Sequence, residues 1–237
     1  MIRKDPARVD YWLLQSGAYL GMKQPLKAAQ NYEALDSVGL ASAQMLNTLG
    51  DIYVNESVFD LAATAYLRAL DRDEQGAMDR YLRDAEVLAA RGAAVEAAQL
   101  VERVKARIGK DIGDGERKRI LKLDARLAAT RAAGGDEQRR LLEEIVALDP
   151  LDGEALILLG QSHAGAGDVE KACFLYERAA GIEKYEAEAK LRMAQCLVRS
   201  GRYKDAVPLL KRTLELKPRE DVSRYLEQVE RVARTKS

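Results

Sequence analysis

A spacing of 34 residues runs through this 237-residue chain and limits what it can fold into more than any single motif does. Trp12, Tyr19, Ala28 and Tyr32 are followed 34 positions later by Leu46, Tyr53, Ala62 and Tyr66. Leu156, Leu159, Gly160, Gly167, Ala172, Tyr176 and Ala179 keep the same internal spacing. A further step of 34 gives Lys190, Met193, Ala194, Gly201, Ala206, Leu210 and Thr213, where the alternation of small and large residues mostly survives. Periods of this size mark chains built from stacked units, none of which buries its apolar face alone. Within a unit, Leu46, Leu49, Gly50 and Tyr53 fall on one helical face, and Ala62, Tyr66 and Ala69 on another. The small residues Gly50, Ala62 and Ala69 are expected to let two helix backbones approach. Asn55-Glu56-Ser57 breaks the pair, with Ser57 expected to cap the second helix and Asp60 to favour its positive end. Gly167-Asp168 and Gly134-Gly135-Asp136 punctuate later units, and Pro25 suits a first helical turn, where its missing N–H is harmless.

These residues resemble the tetratricopeptide repeat, whose pattern is W-x₂-L-G-x₂-Y followed by A-x₃-F, A and P. Leu46 to Tyr53 reads L-N-T-L-G-D-I-Y, and Leu156 to His163 reads L-I-L-L-G-Q-S-H. Asp149-Pro150 and Lys217-Pro218 fall where the closing proline belongs. Six repeats are expected, over residues 9–42, 43–76, 78–111, 119–152, 153–186 and 187–220. The third rests on Tyr81, Ala85, Leu88, Gly92, Ala97 and Val101. The degenerate fourth rests mainly on Leu142, Ile145, Leu148 and Pro150. The resemblance implies an all-α, right-handed superhelical solenoid of helix-turn-helix units. A final helix with a stripe of Tyr225, Leu226, Val229 and Val232 should cap it. Gly109, Gly113 and Gly115 stand off the period, so a connecting loop is expected at 112–118, between a half at 1–111 and a half at 119–237. Lys4-Asp5-Pro6 reads like the closing turn of a preceding repeat, which suggests an array that continues upstream.

Composition narrows the function. The formal net charge is zero, which opposes nucleic-acid binding, including the RNA reading open to helical repeats. No apolar run is long enough to span a membrane, and Met1 to Asp10 carry no apolar signal-peptide core. His163, the single histidine, occupies the slot of Tyr53 and reads as a core residue rather than a catalytic base. Gly113 to Lys118 lacks the phosphate-loop pattern. Asp71 to Gly76 starts like a calcium loop, but Leu82 stands where its closing Glu is required. Cys173 and Cys196, on successive repeats, read as free thiols, with a disulfide between them, which would imply an oxidising compartment, as the alternative. Arg117, Lys118, Arg119 and Lys122 form the densest basic run, read as a solvated face or an acidic-partner patch. No cofactor, metal or catalytic residue is expected.

A non-catalytic scaffold for a protein or peptide partner is the expected function, with homo-oligomeric assembly through an uncapped first helix as the alternative. In the family resembled, the first helix of each pair lines the inner face. That carries over to Leu13, Gly17 and Leu20; to Asn47, Asp51 and Asn55; to Arg83 and Glu86; to Glu154 and Gln161; and to Glu188, Arg192, Gln195 and Arg199, with Asp124 and Arg131 in the irregular fourth repeat. Amides can pair both backbone groups of an extended peptide, and Arg offers a planar fork. Some family members clamp a carboxylate with Lys and Asn on the first inner helix. Leu13 and Gly17 stand there instead, so that clamp is absent and an apolar or mixed ligand is expected.

Overall fold

The computed structural model describes residues 7–74, 76, 78–108, 112–131 and 135–235. The expected closing turn Lys4-Asp5-Pro6 lies outside them, as do Gly109 and Gly134. The described residues are all-α, with thirteen α-helices, one 3-10 turn at Glu183–Tyr185, and no strand.

Two compact units divide the chain, Met1–Leu123 and Asp124–Ser237. The first holds three helix pairs: α1 (Val9–Gly21) with α2 (Pro25–Ser37), α3 (Ala43–Asn55) with α4 (Phe59–Arg72), and α5 (Met78–Ala90) with α6 (Ala94–Ile108). The division falls inside α7 (Asp114–Ala129). The second unit continues with α8 (Gly135–Leu148), pairs α9 (Gly153–Gly165) with α10 (Val169–Ala180) and α11 (Glu186–Arg199) with α12 (Tyr203–Leu216), and ends on α13 (Glu220–Thr235). Turns of three residues separate the members of most pairs, so paired helices run antiparallel.

One turn is repeated within both units. Lys23, Ser57, Gly92, Gly167 and Gly201 all have positive φ, between 57° and 85°. The next residue donates its N–H to a carbonyl five residues back: Gln24 to Tyr19, Val58 to Tyr53, Ala93 to Leu88, Asp168 to His163, and Arg202 to Leu197, at 2.8–3.0 Å. This left-handed closure satisfies carbonyls that a helix end leaves bare. It corrects the expectation for Ser57, which is the left-handed residue itself and makes no cap to α4; Val58 occupies the cap position. True side-chain caps occur at Ser42, Asp152 and Asp168, each accepting from the N–H three residues on. Pro25 sits in the first turn of α2.

The large–small pattern has a specific cause. A Cβ added at Gly160 would lie 2.6 Å from the Tyr176 ring, and one at Gly50 would run into the ring of Tyr66. The glycine therefore makes room for an aromatic ring from the paired helix, rather than for its backbone. Tyr66 and Tyr176 are 2% and 1% exposed, so each ring is a core member of its own pair.

The glycine-rich segment also departs from expectation. Residues 114–118 are the first turn of α7, not a connecting loop. Asp114 and Glu116 complement the positive end of that helix, and Arg117 N–H closes on Gly113 O at 3.0 Å, so Gly115 is carried into the helix despite its poor propensity. The final helix packs as its stripe requires. Val222 and Val229 are buried with Ala194, Leu197, Ala206 and Leu210, while Tyr225 and Leu226 pack partly against them.

Candidate functional site

The residues read from the sequence as an inner face have different fates in the two units. In the first unit they are largely taken up by the protein itself. Asp51 on α3 accepts a hydrogen bond from the Tyr66 hydroxyl at 2.8 Å and two from Arg80 Nη2 at 2.9 and 2.8 Å. Arg80 also forks onto Asp84 through Nε, at 3.1 and 3.0 Å. Asp84 is 6% exposed; burial pushes its carboxyl up to about 6 although Arg80 pulls the other way. Asn47 is half-buried, and its side-chain oxygen is removed from solvent beside Tyr81. Arg83 pairs with Asp79. Glu86 is gripped by Arg119 through Nε and Nη2 at 2.5 and 2.7 Å. Arg119 also pairs with Asp79, so this member of the basic run is engaged. Leu13 is half-buried, and Leu20 and Asn55 are exposed.

The second unit gathers its expected residues around one open cleft of about 460 Å³. Gln161 from α9 and Arg192, Gln195 and Arg199 from α11 line it, joined by Tyr176 from α10 and Tyr225 from α13. Burial pushes the Tyr176 hydroxyl up to about 12, against the opposite pull of Arg199 and Arg192. Tyr225 is also raised, by burial, with Arg199 opposing. Arg192 lies 3.6 Å from Glu188 on its own helix, and its Nε is buried without a hydrogen-bond partner. None of the lining residues is acidic.

Tyr176 and Tyr225 were the residues that sequence reasoning missed as site members. Both lie on apolar stripes and read as core or cap. A signal was present for Tyr176: its ring fills the slot opened by Gly160, the residue before Gln161. In the other pair with this arrangement the matching hydroxyl reaches Asp51.

Other candidates dissolve. His163, with a side chain 14% exposed, lies 3.7 Å from Asp168 at the end of its own helix. Cys173 and Cys196 are free, half-buried and buried respectively. Asp71 of the calcium-like stretch pairs with Arg103, and no metal-ligating cluster occurs among the described residues. Nor is any helix there long and apolar enough to cross a membrane.

Antiparallel helix pairs recurring at about 34 residues, each closed by the same left-handed turn, define a helical-repeat protein. Tetratricopeptide-repeat family models match residues 136–187 and 163–228. Residues 136–228, within the second unit, thus carry tetratricopeptide repeats. Several solved structures share its fold. The C-terminal part of a repeat-containing protein from Cytophaga hutchinsonii superposes with a TM-score of 0.62 at 15% identity, over 93% of this chain and 88% of that one. YrrB, described as a protein of this family with an unusual peptide-binding site, gives 0.57 at 16%, over 83% and 96%. Pseudomonas aeruginosa pilF gives 0.57 at 15%, over 94% and 98%. No curated protein sequence matches the chain.

Proposed function

We propose that this protein is a non-catalytic scaffold that holds a segment of a partner protein against the inner face of its last repeats. The observation that carries this reading is the cleft itself. Four residues singled out as inner-face positions, Gln161, Arg192, Gln195 and Arg199, meet around it with two tyrosines. Amphipathic aromatics and Arg are the side chains most enriched where proteins bind one another. The peptide-binding site ascribed to YrrB, a structural neighbour, fits the same use of the fold.

A pull-down from the native host, with wild type and an Arg192→Glu, Arg199→Glu double variant, tests the reading. Both side chains are partly or fully exposed, so the double variant should melt within about 0.5 kcal/mol per site of wild type. Partners held by the cleft should be lost from the variant. Equal recovery by both proteins would move the binding site elsewhere.

A second reading, self-association through the first helix pair, rests on exposed apolar residues there. Leu14 is 71% exposed, Met22 56%, Leu26 48% and Leu20 41%. Exposed apolar surface of this kind drives association.

A further inference from the structure

Alignment of the repeats on their left-handed turns gives one position a special role. Six residues before Ser57, Gly92, Gly167 and Gly201 stand Asp51, Glu86, Gln161 and Gln195. In the first unit this position is Gly17 in the first pair and acidic in the other two, and both times the protein supplies the cation. Asp51 is closed by Tyr66 and Arg80, and Glu86 by Arg119. In the second unit the same position is an amide both times. Tyr176, the counterpart of Tyr66, is retained, and Arg192 and Arg199 stand at the same cleft. The tyrosine donor of the first unit's motif is present in the second; the position of Arg80 is Ala189 there, guanidiniums come instead from Arg192 and Arg199, and the carboxylate is missing.

We infer that the cleft formed by Gln161, Tyr176, Arg192, Gln195, Arg199 and Tyr225 takes an acidic side chain, Asp or Glu, of a partner protein segment. This rests on the scaffold reading above and names the chemistry of its ligand. The partner's carboxylate takes the place that Asp51 holds in the first unit, accepting from a tyrosine hydroxyl and a guanidinium. Every lining side chain can donate a hydrogen bond, and Gln161 and Gln195 supply amide N–H groups where an acid would repel the ligand. Arg192 is held only loosely by Glu188, and its buried Nε lacks a partner. Charge-assisted bonds to a planar fork are the strongest polar contacts such a cleft can offer.

The experiment uses the full chain and two end-blocked decapeptide pools, identical except that one fixes Glu and the other Gln at the central position. Arginine side-chain N–H resonances and fluorescence anisotropy report binding. The Glu pool should shift the Arg192 and Arg199 signals and bind about tenfold or more tightly than the Gln pool, with affinity falling as salt is raised. Arg199→Gln should abolish that preference, and Gln161→Glu, which returns an acid to the cleft, should do the same while leaving both arginines in place. Equal binding of the two pools, with the same arginine shifts, would overturn the acidic-ligand inference and leave the scaffold reading standing. Absence of shifts with either pool would overturn the inference too, while the pull-down decides separately whether a partner is held at all.

Discussion

At the scale of single residues, the glycines of the repeat are not interchangeable. Gly160 and Gly165 lie on the same helix, but only the first faces a ring. Gly160→Ala should destabilise the protein by roughly 1–3 kcal/mol through overpacking. Gly165→Ala meets nothing within 4 Å and should be neutral or slightly stabilising. Urea unfolding of the two variants checks the contrast, and equal losses would show that the Tyr176 ring is not what the glycine accommodates. Asp84 gives a pH prediction. Its folded pKa of about 6 lies above its ordinary value, so between roughly pH 4 and 6 the folded chain keeps a proton that the unfolded chain has released. Its contribution is full below the ordinary value and is lost as pH rises through about 6. Compared with wild type, Asp84→Asn should therefore show a flatter fall of stability over that interval. An unchanged slope would mean that Arg80 already holds Asp84 ionised. The apolar faces were legible residue by residue because helical spacing encodes them. The ion cluster of Asp51, Arg80 and Asp84 was not, because it joins helices whose facing positions no local period records.

At the scale of elements, the recurring turn sets the helix pair. Three of its five left-handed positions are glycine, while Lys23 and Ser57 adopt the same conformation with a side chain. Ser57→Gly should relieve that strain and stabilise by about 0.5–1 kcal/mol, net of the extra freedom glycine gives the unfolded chain. A lower melting temperature in that variant would instead assign the Ser57 side chain a stabilising contact. The turn also explains a misreading. A serine between two helical faces looks like a cap, and only the backbone angle reveals that the chain is closing the preceding helix. Likewise Gly113 and Gly115 looked like a loop, whereas acidic residues at Asp114 and Glu116 were the stronger signal, marking the start of α7. The repeat count was legible where the small residues kept their period. It was least so in the fourth repeat, whose α7 buries Ile120, Leu121, Leu123, Leu127 and Ala128 without the tyrosine-and-glycine signature.

At the scale of the molecule, the exposed leucines and methionine of the first helix pair predict concentration-dependent association. Light scattering across a dilution series should show a rising mass, and Leu14→Glu with Met22→Glu should suppress it; a constant monomer mass in wild type would remove the second reading. Gln161, Arg192, Gln195 and Arg199 were legible as positions that meet but not as a set of roles, since whether an Asp or an amide occupies a position says nothing until the cation facing it is placed. That arrangement has a consequence for how such chains diversify. The carboxylate of Asp51 comes from α3, the hydroxyl from α4 and the guanidinium from α5, so the motif begins in one repeat and is completed in the next. The cluster is thus three helices long and straddles the boundary of the duplicated unit. Shuffling or grafting single 34-residue modules would divide it, leaving donors without their acceptor, and a transplant that keeps the cluster whole must instead move a first helix, its partner and the first helix that follows as one block.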